Sequence, residues 1–143
     1  MLDGMTDVQR NEAIVSNELK EIESLYLESL ELTTKDGYDG NAAIVHQQLG
    51  LLYFMRGEFD RSLLFYQNSY SIVNNQPNMR LTDLNSLSTC QMFFALIALE
   101  KGNYSLARAE ILKAIDIDKS LNNPWFLQMD KRILARCKDG HDS

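Results

Sequence analysis

Two histidines, two cysteines and 20 carboxylates are the side chains through which this 143-residue chain could do acid–base, nucleophilic or metal chemistry. Their spacing favours none of these. His46 falls inside a helical apolar stretch and reads as a packed or hydrogen-bonded side chain, while His141 sits in the terminal DGHDS, where a chain end frays. No spacing of His, Cys and carboxylates resembles a metal site. Cys90 and Cys137 are too few for a disulfide framework and read as reduced, semi-buried thiols. The paired acids Asp116/Asp118 and Glu21/Glu23 lie two positions apart. On a helix that interval sends side chains to different faces, so both pairs read as solvated charge. There is no nucleophile elbow, P-loop or dinucleotide fingerprint. Asn103-Tyr104-Ser105 matches a glycosylation sequon, but the N-terminal MLDGMTDVQR has no basic n-region and no apolar h-region, so the match reads as chance. The expectation is a cytoplasmic protein with no metal, no cofactor and no catalytic residues, and not an enzyme.

Bulk composition narrows the class further. The chain is 45% hydrophobic and 24% charged, enough for one domain with a real core. Its longest apolar run, Cys90 to Leu99 with one Gln inside, falls well short of the roughly 20 residues that span a bilayer, so no membrane partner is expected. The net charge of −6 is seated entirely in residues 1–36, with nine acids against three bases; residues 37–143 hold eleven of each. An acidic chain is a poor nucleic-acid binder.

The elements that must position any site are helical and repeated. The stretch beginning at Ala43 overlays the one beginning at Ser88 at a constant offset of 45 residues. Gly50 meets Ala95, Gly57 meets Gly102, Phe59 meets Tyr104, Ser62 meets Ala107, Tyr66 meets Ile111 and Ser69 meets Ala114. A weaker copy lies upstream, where Ile22, Tyr26, Ser29 and Leu30 precede Ser62, Tyr66, Ser69 and Tyr70 by 40 residues. Apolar residues recur at three- and four-residue steps, with Gly57, NNQPN, Gly102 and Asn123-Pro124 as punctuation. No segment alternates with period two. Helices are predicted over 6–35, 41–56, 59–75, 81–101, 104–120 and 124–137, the first as one long helix or a kinked pair. Close approach of paired helices requires a small residue at the crossing, which Gly50 and Ala95 supply. Ser62, Ser69, Ala107 and Ala114 form the small stripe with which each second helix is expected to meet the next repeat.

LGLLYFMRGEFDRS and ALIALEKGNYSLARA resemble tetratricopeptide repeats over roughly residues 17–137, through Leu49-Gly50, Tyr53, Gly57 and Phe59 and then Ala95, Gly102, Tyr104, Ala107 and Ala114. The departures are a repeat longer than the usual length of about 34 residues, His46 and Gln91 at the early aromatic position, and a missing Pro after the first copy. Longer repeats of this kind are similar to those of bacterial peptide receptors and signalling regulators. The resemblance implies an all-α helix-turn-helix solenoid of about two full repeats in a single domain: an acidic N-terminal helical segment over 1–36, repeats over 37–78 and 79–121, a capping helix over 122–138 and a tail over 139–143.

It also implies a concave groove that binds a peptide or amphipathic helix, lined by Ile44, Gln47, Gln48, Leu51, Phe54 and Met55 from the first repeat. The second repeat contributes Thr89, Met92, Phe93, Leu96, Leu99 and Glu100. Coverage of that groove by the chain's own terminal helices is the competing reading. A chaperone-tail clamp is disfavoured, because Gln47, Leu51 and Phe93 at its positions offer no positive charge for a carboxylate. The expected function is a non-catalytic adaptor or sensory module with a protein or peptide partner; the alternative is a structural module that self-associates into a homo-oligomer. Trp125 and Phe126 cap the solenoid or dock a neighbour. Lys131, Arg132, Arg136 and Lys138 read as a solvated basic face, or as a head-to-tail contact for the acidic N-terminal segment of another copy.

Overall fold

The computed structural model describes residues 6–36 and 39–139. Six α-helices hold most of them: α1 (Asp7–Asp36), α2 (Asp39–Met55), α3 (Phe59–Asn74), α4 (Leu81–Glu100), α5 (Tyr104–Ser120) and α6 (Pro124–Asp139). There is no strand among the described residues. The helix limits match the sequence reading to within two residues, and 7–36 is one continuous helix. His141 lies outside the described residues.

The same stop signal ends α2, α4 and α5. Gly57 and Gly102 take φ of +77° and +76°, and Asn122 takes +53°. In each case the following N–H reaches back over the last turn: Glu58 N to Tyr53 O at 2.9 Å, Asn103 N to Ala98 O at 2.8 Å and Asn123 N to Asp118 O at 3.2 Å. These left-handed caps satisfy carbonyls that the helix leaves open. The next helix starts at once. Asn103 Oδ1 accepts from Leu106 N, and Asn123 Oδ1 accepts from Phe126 N.

Successive helices run antiparallel and pack on their neighbours in sequence, with lighter contact between α2 and α4 and between α4 and α6. The fully buried Tyr66 joins three of them. Its ring lies over Gly50 of α2, where an added Cβ would sit 2.7 Å from two ring carbons, and it stacks on Phe93 of α4 with ring centroids 4.4 Å apart. The small residues of α3 also serve α2: Ser62 Oγ donates to Gly50 O at 2.6 Å and Ser69 Oγ to Ala43 O at 2.8 Å. This corrects the expectation that the stripe faces the next repeat. A hydroxyl is small enough to admit the opposing backbone and polar enough to bond its carbonyl.

In the second pair, Ala95, Ala107, Ile111 and Ala114 are all fully buried in one cluster with Met92, Leu99, Ile133 and Cys137, so α4, α5 and α6 share a core. At the other end, α1 packs on α2 alone among the described helices. Tyr26 and Leu30 meet Val45, Leu49 and Tyr53 there. Glu23 ties the pair by accepting from the Tyr53 hydroxyl at 2.8 Å and from Arg56 at 2.5 Å. These bonds hold its carboxyl below the usual glutamate range. Glu23 is therefore an anchoring contact and not free solvated charge, because its partners come from the neighbouring helix.

Candidate functional site

The residues expected to line one groove divide into three environments. On α2, Ile44, Gln48, Leu51 and Met55 recur at four, three and four residues and stand open to solvent, Met55 at 70% exposure. Gln47 is half-buried and donates through Nε2 to Ser69 Oγ at 3.1 Å, so it is committed to the α2–α3 seam. Phe54 and Phe93 meet edge to face, with Phe54 also against Phe59. They are half-buried members of the aromatic core around Tyr66. On α4, Met92 and Leu99 are buried within the cluster that contains Ile133 and Cys137 of α6. That removes both from an open groove: a hydrophobic face on α4 is covered when α6 folds back along α5. Leu96 packs half-buried against the same cluster, Thr89 donates to Asn85 O in its own helix, and Glu100 reaches Arg136 of α6 at 3.9 Å. What stays open is a stripe on α2, with the Phe54–Phe93 contact beside it.

A second concavity was not foreseen. A cleft of about 610 Å³ lies between α3 and α5 over α4, with Leu63, Tyr70, Phe94, Ile97 and Leu106 on its walls and Gln67 and Gln91 among them. Gln91 is buried, and its Oε1 has no hydrogen-bond partner. At its rim Lys101 pairs with Asp60 and Lys113 with Glu110. The signal was present in the three- and four-residue spacing of Gln91, Phe94, Ala98 and Lys101, on a face of α4 that the repeat register assigns to internal packing.

Two acids are sealed inside, among them Asp118, whose spacing predicts solvated charge. Asp118 of α5 and Asp130 of α6 are 0% and 1% exposed. Ser88 Oγ of α4 donates to Asp118 Oδ1 at 2.6 Å. With both groups ionised, Asp118 Oδ2 and both Asp130 oxygens would have no donor. Burial pushes the Asp130 carboxyl up to about 8, and bonding to Asp118 together with that group's charge adds to the rise. One retained proton lets the two carboxyls bond to each other. The helical interval correctly separates Asp116 from Asp118, but the partner of Asp118 arrives from a different helix. With no solvent path, the pair acts on the packing of α4, α5 and α6.

The remaining reactive groups are also committed to packing. Cys90 and Cys137 are fully buried, deeper than expected, and burial pushes the Cys90 thiol up to about 12 and raises that of Cys137. High thiol values disfavour the nucleophilic thiolate. His46 is half-buried against Phe65 with ring centroids 5.7 Å apart, and burial lowers its pKa. Trp125 is 62% exposed and meets Phe126 edge to face, and Phe126 alone of the two is half-buried. No helix among the described residues is long and apolar enough to cross a membrane. Comparison with family models, with curated proteins and with solved structures gives no match for this chain.

Proposed function

We propose that the chain is a tetratricopeptide-like repeat domain acting as a non-catalytic protein-interaction module. It takes an apolar peptide or amphipathic helix along the exposed face of α2. The repeat reading is supported by two antiparallel helix pairs that share one stop signal and a small residue at the same crossing, Gly50 and then Ala95. One observation carries the functional reading: Ile44, Leu51 and Met55 stand open in a single stripe, with half-buried Phe54 beside it on the same helix. Such a stripe suits partner side chains spaced for a helix or an extended strand, and Met adapts to varied shapes.

The test is selection from a displayed library of short peptides, followed by titration of the enriched sequences. Leu51→Glu with Met55→Glu should weaken binding by about tenfold or more, since each removes roughly 1.5–3 kcal/mol of apolar burial. Both positions are solvent-exposed, so the circular dichroism spectrum should stay unchanged. Binding that survives those changes but is lost on Leu106→Glu would move the site to the α3–α5 cleft. No enrichment at all would overturn the peptide reading.

A further inference from the structure

Helices α1 and α6 show complementary faces of the unit that repeats between them. Within the chain, α3 turns Ser62, Phe65 and Ser69 toward α2, and Leu63, Tyr66 and Tyr70 toward α4. At the 40-residue offset, the second set corresponds to Glu23, Tyr26 and Leu30 of α1, and these are the residues that meet α2. The first set corresponds to Ile22, Leu25 and Ser29. On α3 that face is covered by a preceding helix. On α1 it is open, with Leu25 65% exposed and Leu32 57% exposed two turns further along. Among the described residues α1 therefore meets α2 as the second helix of a pair meets the next, with no helix on its other face. The converse holds for α6, which packs on α5 through Ile133 and Cys137 as α4 packs on α3 through Phe93 and Ile97. No helix follows α6 among the described residues to cover its outer side.

Charge decides what fits these faces. Glu18, Glu21 and Glu28 are exposed around Ile22 and Leu25 on α1, and α1 as a whole carries eight acids against three bases. Lys131, Arg132 and Arg136 are exposed on α6. Pairing α1 with a second α1 would set acids against acids. We propose that α1 of one copy docks on the outer face of α6 of a second copy, completing a helix pair across the two chains. The long Lys and Arg stems cover Ile22, Leu25 and Leu32 while their charged ends meet the flanking glutamates. The contact uses two different surfaces, so it runs head to tail and extends as an open chain unless the rotation between copies closes a ring. It involves neither the α2 stripe nor the α3–α5 cleft and stands or falls independently of peptide binding.

Sedimentation of the full chain over a wide concentration range tests this. The wild type should grow beyond a dimer as concentration rises, and its association should weaken about tenfold between low salt and 0.5 M salt as the charge contacts are screened. Leu25→Asp alone and Lys131→Glu with Arg132→Glu alone should each stop assembly. An equimolar mixture of these two variants retains one sound α6 face and one sound α1 face, and should form a 1:1 dimer that grows no further. A wild type that stays monomeric in low salt at every concentration would overturn the proposal, and that result depends on no variant. A symmetric α1 pair would also overturn it, seen as assembly of the α6 variant alone and no dimer from the mixture beyond its level.

Discussion

At position 50, helix propensity and packing oppose each other. Alanine is favoured over glycine in a helix interior by about 1 kcal/mol. Here its Cβ would lie 2.7 Å from the Tyr66 ring, which is fully buried and backed by Phe93. A ring held on both faces cannot give way cheaply, and overpacking of this kind costs about 1–3 kcal/mol. Gly50→Ala should therefore lower stability by about 1 kcal/mol and the melting temperature by roughly 3 °C. The second unit has the compensated combination, Ala95 with Ile111 in place of Tyr66. Gly50→Ala joined to Tyr66→Ile should accordingly lose less than the sum of the two single changes in thermal melts. A neutral Gly50→Ala would mean that the ring does not rest on that backbone. The Asp118–Asp130 pair makes a prediction about pH. The Asp130 carboxyl has its pKa raised from 3.8 to about 8 by folding, so the folded state holds a proton that the unfolded state releases. Its contribution is fully present below pH 4 and is lost as pH rises toward 8. Asp130→Asn should flatten this decline and make the protein more stable than wild type by about 1–3 kcal/mol at pH 9, because the buried unpaired charge is removed. Denaturant titrations at pH 5 and pH 9 measure the difference; an equal loss at both would refute the shared proton.

At the level of helices and turns, backbone strain is isolated most cleanly at Gly57. It takes φ +77° with nothing within 4 Å of where a Cβ would sit, so substitution there meets no steric neighbour. Gly57→Ala should cost about 1–2 kcal/mol in denaturant unfolding, the left-handed penalty alone. Gly57→Asn should cost less, since Asn122 already performs the same stop at the end of α5. Such stops are why the helices were legible. Gly57, Gly102 and the Asn123-Pro124 junction are local signals, and local signals set helix limits whatever the tertiary structure does. The site was less legible because exposure is a property of pairs of helices. Leu51 and Leu99 both lie on apolar faces of their helices, yet one is open and the other buried in the core that α6 shares, and only the return of α6 along α5 distinguishes them. Asp118 and Glu23 depart from the solvated charge that their spacing predicts for the same reason: their partners, Asp130, Ser88, Tyr53 and Arg56, are distant in sequence.

For the molecule as a whole, the order of packing predicts an order of opening. Among the described helices, α4 touches α2, α3, α5 and α6, whereas α1 touches only α2. The contacts that hold α1, Glu23 with Tyr53 and Arg56 and then Tyr26 and Leu30 on α2, all lie in its second half. Residues 7–19 extend past them with Val8, Ile14 and Val15 exposed. A helical segment without tertiary packing is only marginally stable in water. Amide hydrogen exchange in dilute protein should therefore be fastest in residues 7–19, with opening free energies close to zero, and slowest in α4, where exchange requires global unfolding. Uniform protection across all six helices would instead mean that the molecule opens as one unit and that α1 is held by more than α2. Concentration adds a second axis. The negative charge excess resides on α1, the helix with the least intramolecular support, so its stability is the quantity most sensitive to a basic partner. If α1 completes a helix pair with α6 of another copy, raising the protein concentration at low salt should lift α1 from its near-zero dilute protection and slow α4 as well, because global unfolding also breaks the contact. Slower exchange in α4 with α1 unchanged would place the contact elsewhere, because a docked α1 cannot open without first losing it.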